Sequence, residues 1–177
     1  MKRCTKRKAQ AGITMLEVMI AVAVVGILVK LALPSLAGSS RKVKGDTEVN
    51  AFMTELRMKQ EQFHLENGRY LSTGTESTMF PATAQPQQLA ITTMPAEWNQ
   101  LRVNLPEAQA RCQYVAIAGN KLSGTIGTVA ASFGFSNPGR DWYYILAHCD
   151  LDGDAAVDSW YFTSSKDAAI QKLNPGR

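Results

Sequence analysis

Four aspartates near the C-terminal end of the sequence form its densest group of carboxylates. They are Asp150, Asp152, Asp154 and Asp158. Carboxylate oxygens at alternate positions of a turn are ligands that calcium takes in proteins. The order is not that of an EF-hand, because Gly153 stands at the fourth position rather than the sixth and Tyr161 at the twelfth. A calcium loop and an ordinary polar β-turn, in which Asp and Gly are common, are the two interpretations of this group.

The cysteines and histidines indicate neither catalysis nor a zinc site. Cys4 stands in the basic start of the chain, so removal of that start would leave Cys112 and Cys149 as an even pair. In an exported domain such a pair favours a disulfide, with two buried free thiols as the alternative. His64 and His148 belong to no zinc-type motif, and we expect them to be surface or packing residues. The sequence contains no phosphate loop, nucleophile elbow or CxxC pair, so we expect no enzyme.

The longest apolar run covers residues 13–37 and reads ITMLEVMIAVAVVGILVKLALPSLA. At about 1.5 Å per residue it is long enough to cross a hydrocarbon core of about 30 Å. It is apolar all round, unlike the one-sided pattern of a soluble amphipathic helix. Five basic residues precede it: Lys2, Arg3, Lys6, Arg7 and Lys8. The positive-inside rule therefore leaves the first twelve residues in the cytoplasm and exports the chain beyond about Ala37.

The net charge of +4 and the pI of about 9.0 belong to this basic leader. Without the leader, 14 basic residues remain against 15 acidic ones. The charge of the remaining chain therefore does not indicate a nucleic-acid partner. Small residues, Ala11 and Gly12, precede the apolar run instead of following it, so a cut there would remove the leader and keep the membrane helix.

Glu17 is the residue of the apolar run that most needs a partner. An ionised carboxylate in the hydrocarbon region costs on the order of a few kcal/mol. A cut before Ile13 would create an α-amino group, and that of a neighbouring copy could neutralise Glu17. The alternative is a carboxylate that extends to the cytoplasmic headgroups, and physics alone leaves both open. We expect Lys30 to extend to the outer interface and Pro34 to kink the helix.

The order Gly12-Ile13-Thr14-Met15-Leu16-Glu17, with the apolar run and Pro34 after it, resembles the N-terminal signature of type IV prepilins and type II secretion pseudopilins. The resemblance implies that a prepilin peptidase cuts after Gly12 and methylates Ile13, where phenylalanine is usual. It also implies that Thr14 and Glu17 act in assembly, with Glu17 pairing with a neighbour's N-terminus, and that Pro34 is the kink proline. Some pseudopilins carry a calcium loop near the C-terminus, which keeps Ca²⁺ as a candidate ligand of the aspartates.

The resemblance implies a structural subunit of a type IV pilus-like filament, a minor pilin or a pseudopilin. Its expected partners are other pilin subunits, prepilin peptidase and the inner-membrane assembly platform. We expect a single-pass inner-membrane precursor with its domain in the periplasm, and afterwards an extracellular pilus or a periplasmic pseudopilus. The alternative is a membrane-anchored extracytoplasmic binding domain that never assembles.

The rest of the chain predicts an α+β fold of the pilin type, with a long N-terminal helix on an antiparallel sheet of three or four strands. Apolar residues at helical spacing, from Val49 to Phe63, extend the helix to about Glu66, where Asn67-Gly68 ends it. Residues 67–110 read as a loop with little regular structure, anchored by Trp98 and Leu101. The sheet is expected within 111–165. Its predicted strands are Cys112–Ala118, Leu122–Ile126, Trp142–His148 and Val157–Thr163.

Overall fold

In a computed structural model of the chain, the described residues are 14–104, 109–153 and 158–174, with side chains at all of these except 31–39 and 41. Three helices lie in these ranges: α1 (Met15–Asn67), α2 (Ala96–Gln100) and α3 (Thr128–Ser132). The strands are β1 (Leu89–Ala90), β2 (Gln109–Ala110), β3 (Gln113–Gly119), β4 (Trp142–Cys149), β5 (Ser159–Ser164) and β6 (Gln171–Leu173). The chain divides after Ala37 into two compact units, 1–37 and 38–177.

Helix α1 ends where the sequence predicts. Its last residue is Asn67, and Gly68 adopts a φ of 69°, a left-handed conformation that glycine enters without the steric penalty of a Cβ. The amide of Gly68 donates to the carbonyl of His64 at 2.8 Å and so satisfies one of the last free carbonyls of the helix. The backbone at Pro34 is helical, its side chain lies outside the described set, and the predicted kink stays a prediction.

The buried stripe of α1 packs on the sheet of the second unit, as predicted. Val49, Phe52, Met53 and Leu56 are at most 2% exposed. They share one core cluster with the β4 side chains Tyr143, Ile145 and Ala147. A fully buried apolar side chain of this size contributes about 1.5–3 kcal/mol, so this contact is a major source of the unit's stability.

The main sheet is antiparallel, with the strand order β3-β4-β5-β6, and confirms the predicted α+β class. Strand β4 is buried on both faces. Its residues alternate between the α1 cluster and a second cluster in which Trp142, Tyr144 and Leu146 pack with Ala130 and Phe135. The second unit therefore has three layers: α1, the sheet, and the segment that carries α3.

The predicted strand Leu122–Ile126 is wrong. Asn120 closes a tight turn there, because its Oδ1 accepts the amides of Leu122 (2.8 Å) and Ser123 (2.7 Å). Trp142 of β4 occupies the place beside the end of β3, where it pairs with Gly119. Its indole N–H donates to the Asn120 carbonyl at 3.2 Å. Leu122 is left 92% exposed. The apolar residues Leu122 and Ile126 suggest a strand, but Trp142 occupies the place beside β3 that this strand would need.

The last strand, β6, lies beyond the predicted end of the sheet at residue 165. It pairs with β5 through Trp160↔Leu173, Tyr161↔Lys172 and Phe162↔Gln171. All three of its residues are exposed, so it lacks the apolar alternation that marks a half-buried strand in a sequence. Strand β5 begins two residues after the predicted start, Val157, which lies outside the described residues, and ends one residue after the predicted end, Thr163.

The region 67–110 contains more regular structure than predicted, namely β1, α2 and β2. Part of it covers the free edge of β3. Thr73 donates its amide to the carbonyl of Ala116 at 2.8 Å, and the Thr73 hydroxyl accepts the amide of Ala116 at 2.9 Å. Trp98 is 1% exposed and lies 5.8 Å from the ring of Phe52 and 5.5 Å from that of Phe80, which confirms its predicted role as an anchor.

Candidate functional site

The first helical turn of α1 is capped by Thr14. Its hydroxyl oxygen accepts the backbone N–H of Glu17 at 3.3 Å, and its carbonyl accepts the amides of Glu17 (3.1 Å) and Val18 (3.2 Å). Threonine is a favoured residue at this position because its side chain satisfies an amide that has no partner inside the helix. The order Thr14-Met15-Leu16-Glu17 is that of a capping box, in which Ser or Thr and Glu stand three residues apart.

Glu17 occupies the third helical position, since α1 begins at Met15. Its side chain is exposed. A carboxylate in the first turn is stabilised by the free amides and the positive end of the helix dipole. Thr14 therefore positions the backbone that carries Glu17, and Glu17 presents its charge beside the helix start. Gly12 and Ile13, the predicted cleavage and methylation residues, lie outside the described residues.

The segment after Glu17 exposes large apolar side chains on every side of the helix. They include Met19, Ile20, Val22, Val25, Ile27 and Leu28, each more than half exposed. Apolar surface of this extent marks an interaction with another apolar surface, because water contact with it is unfavourable. The part of the chain that the structure describes contains no helix with the length and apolar character needed to span a membrane.

The predicted disulfide is present between Cys112 and Cys149. Cys149 ends β4, and Cys112 immediately precedes β3, next to the pair Gln113↔His148. Both cysteines are fully buried. The two cysteines are 37 positions apart in the sequence, and the bridge stabilises the fold by very roughly 3–4 kcal/mol in the chain-entropy model.

Two of the aspartates proposed as calcium ligands bind other groups of the chain. Asp150 accepts the amide of Gly153, three residues later, at 2.6 Å, a local side-chain-to-backbone bond of the kind that Asp makes in turns. Asp158 is held by His148, whose Nε2 lies 2.7 Å from its carboxylate. Asp154 lies outside the described residues, and the described ones include no cluster of three or more His, Cys, Asp or Glu side chains arranged to hold a metal. The calcium site stays a prediction.

His148 is a packing residue, in line with the sequence-based expectation. Its ring stacks on Trp160 with centroids 4.4 Å apart, and its Nδ1 lies 2.7 Å from the side-chain oxygen of Gln113. His64 stacks on Tyr70 at 4.3 Å and lies 3.8 Å from Asp141. Both histidines thus join surface elements of the second unit.

Three carboxylates outside the predicted site residues, Glu48, Glu61 and Glu76, lie within hydrogen-bond distance of phenols. Glu48 accepts the hydroxyl of Tyr114 at 3.0 Å. Glu61 accepts those of Tyr143 (3.0 Å) and Tyr70 (3.2 Å). Burial and the negative charge of Glu61 raise the pKa of Tyr70 to about 12 and push the pKa of Tyr143 in the same direction. The phenols therefore remain protonated donors.

The third carboxylate, Glu76, binds the start of α3. Its oxygens accept the amides of Val129 (2.9 Å) and Ala130 (3.0 Å), and it also lies 3.4 Å from the hydroxyl of Tyr144. Gly127, which precedes α3, makes this approach feasible, because a Cβ there would overlap the Glu76 carboxylate. No local sequence pattern identifies these contacts, since Glu76 lies 53 positions before Val129 and 68 before Tyr144.

Comparison with known proteins adds two findings. Residues 7–29 match the family described as the prokaryotic N-terminal methylation motif. The chain is also similar to proteins named type II secretion system core protein G. The one from Aeromonas hydrophila is 31% identical over 84 residues, which are 46% of this chain and 58% of that protein. The family match therefore includes Thr14 and Glu17 in a known N-terminal motif.

Two further relatives carry the same name. The protein from Pectobacterium carotovorum subsp. carotovorum is 31% identical over 80 residues, or 44% of this chain and 51% of that protein. The one from Klebsiella michiganensis is 32% identical over 68 residues, or 38% and 47%. The chain thus spans about half the length of these relatives. No solved structure matches it significantly.

Proposed function

We propose that the chain is a structural subunit of a pilus-like filament, because its methylation motif and its similarity to core protein G indicate the type IV pilin and pseudopilin family. The observation that carries this proposal is the capped start of α1. Thr14 orders the first turn, Glu17 presents an exposed carboxylate there, and an apolar helical surface comes next within the matched motif.

The chemistry of the first turn supports assembly after processing. A cut before Ile13 would create an α-amino group four residues before Glu17 in the sequence. Among apolar helices both charges are costly when unpaired, and a neighbour offset along the axis would place its amine beside the Glu17 carboxylate. The pairing favours one axial offset between copies and so sets their register.

In this proposal the N-terminal helix anchors and assembles the subunit, and the second unit is the exported domain. Before assembly, residues 13–37 hold the precursor in the inner membrane, and the second unit lies in the periplasm. Afterwards the helix leaves the lipid for a bundle of like helices, in a periplasmic pseudopilus of the kind that the type II secretion relatives suggest or in an extracellular pilus. Prepilin peptidase, other pilin-like subunits and the assembly platform are the proposed partners. The role is structural and involves no catalysis.

Mass spectrometry of the subunit isolated from cells tests this function. A mature N-terminus at Ile13 that carries a methyl group, in a fraction that sediments as polymer, is the expected result. A protein that retains Met1 or Lys2 and stays single in the membrane fraction would instead identify a membrane-anchored binding domain. That outcome would overturn the filament proposal.

A further inference from the structure

Two charged residues interrupt the described apolar part of α1, and they have opposite signs. Glu17 stands in its first turn and Lys30 thirteen residues later. Both side chains are exposed, and neither charged group contacts another described residue. The helical rise of about 1.5 Å per residue separates the two positions by about 20 Å along the axis. At about 100° per residue they also point to nearly opposite sides of the helix.

This placement excludes a contact within one chain and suits a contact between two chains. In a two-fold symmetric pair both copies use the same side of the helix. The interface would then contain either the two carboxylates or the two ammonium groups, and the opposite charges would not meet. They meet readily when one copy is shifted along a parallel neighbour, which is a heterologous contact. Heterologous contacts that do not close into a ring continue as open helical filaments.

We propose that Lys30 of one copy forms an ion pair with Glu17 of a second copy whose helix is shifted by about 20 Å along the axis. The inference rests on the proposed function and specifies a second contact for the same carboxylate. The new α-amino group would reach Glu17 from another neighbour, one that is offset in the opposite direction. The two oxygens of one carboxylate can accept both cations, so Glu17 would join two neighbours.

Extension of Lys30 to the outer headgroups accounts for its charge only while the helix lies in a membrane. Once the helix has left the lipid, headgroups are no longer available, and an ammonium among apolar helices is costly unless an opposite charge is near. The flexible four-carbon stem of lysine tolerates a few ångströms of misalignment in reaching such a partner. Pairing with Glu17 therefore stabilises the Lys30 ammonium in the filament, as the headgroups stabilise it in the membrane.

An exchange of two neighbouring residues distinguishes pairing of Lys30 with Glu17 from contact of Lys30 with the membrane headgroups. The double substitution Val29→Lys with Lys30→Val keeps composition, apolarity and membrane depth but turns the ammonium by about 100° around the helix. Lys30→Arg is the matched control, because it keeps the charge on the original side. Full-length variants are expressed in the native cells, and two quantities are measured: the mass of the mature N-terminus and the amount of subunit in the polymer fraction.

We expect the exchange variant to be cleaved and methylated normally but to enter the polymer about tenfold less, whereas Lys30→Arg enters nearly as the unchanged chain does. Zero-length carbodiimide treatment of unchanged filaments should yield an amide between Glu17 and Lys30, which must join two copies because one helix keeps them about 20 Å apart. Normal polymer with the exchange variant, or filaments without this cross-link, would overturn the pairing and leave the proposed function intact. An unchanged chain that is neither cleaved nor polymerised would overturn both.

Discussion

The carboxylate of Glu48 on α1 accepts the phenol of Tyr114 on β3 at 3.0 Å. The same oxygen accepts the amides of Arg111 (2.8 Å) and Cys112 (3.2 Å). Burial, and after it the charge of Glu48, raises the pKa of Tyr114 well above its usual range, so the phenol remains a donor. One carboxylate thus ties the helix to the start of the sheet, beside the disulfide.

Replacement of Glu48 should destabilise the second unit more than replacement of another helix glutamate. In Glu48→Ala the phenol and two amides lose their acceptor, and we expect the free energy of unfolding to fall by about 3 kcal/mol. Glu55, which contacts Lys59 at 3.8 Å on the helix surface, is the control, and Glu55→Ala should cost less than about 1 kcal/mol. Urea unfolding of a fragment covering 38–177 measures both. Equal losses would contradict the role given to Glu48.

Gln60 provides a second comparison on the same helix. Its side chain is fully buried, and its amide bonds the Leu71 backbone in both directions, accepting the N–H at 3.0 Å and donating to the carbonyl. Gln60→Leu should lower the free energy of unfolding by about 2–3 kcal/mol, because both backbone groups of the half-buried Leu71 lose their partner. Gln62→Leu is the exposed control and should be nearly neutral. A neutral Gln60→Leu would show that Leu71 finds other partners or water.

Tyr144 should make stability depend on pH in the alkaline range. Burial raises its pKa from 10.0 to about 12, an effect that the Gly127 amide partly opposes and the nearby Glu76 reinforces. The folded state therefore keeps a proton that the unfolded chain releases near pH 10. The stabilisation is full below that pH and is lost as the pH rises through about 12. Tyr144→Phe keeps the ring, so its unfolding free energy should decline less steeply over this interval. Parallel declines in denaturant titrations would contradict the assignment.

Loss of the Glu17 charge should affect assembly and leave processing intact. In Glu17→Ala and in the nearly isosteric Glu17→Gln, we expect the N-terminus to be cleaved and methylated as before, with about tenfold less subunit in the polymer. The two variants should behave alike, because both remove the acceptor charge for a neighbour's amine. Quantitative immunoblots of polymer and membrane fractions measure the ratio. Normal polymer in either variant would remove Glu17 from the mechanism.

Patterns confined to one stretch of chain predicted much of this protein. The leader charges, Gly12, Glu17 and the apolar run all stand within the first 37 residues, so each can be interpreted from its neighbours in the sequence. The stripe from Val49 to Leu56 likewise results from helical spacing, and the strand Trp142–His148 from its aromatic and β-branched composition. Gly68 ends the helix because it alone of the nearby residues enters a left-handed conformation without strain.

Tertiary structure decided the features that depend on partners far apart in the chain. Leu122–Ile126 has strand-like residues, but Trp142 occupies the edge it would need, and the exposed residues of β6 pair with β5 although they carry no strand pattern. Glu48, Gln60, Glu61 and Glu76 bind groups between 9 and 82 positions away in the sequence. The helical pattern of α1 records only the face that Glu48, Gln60 and Glu61 occupy, and Glu76 lies in a region without such a pattern. Only the folded chain brings a phenol or an amide to these side chains.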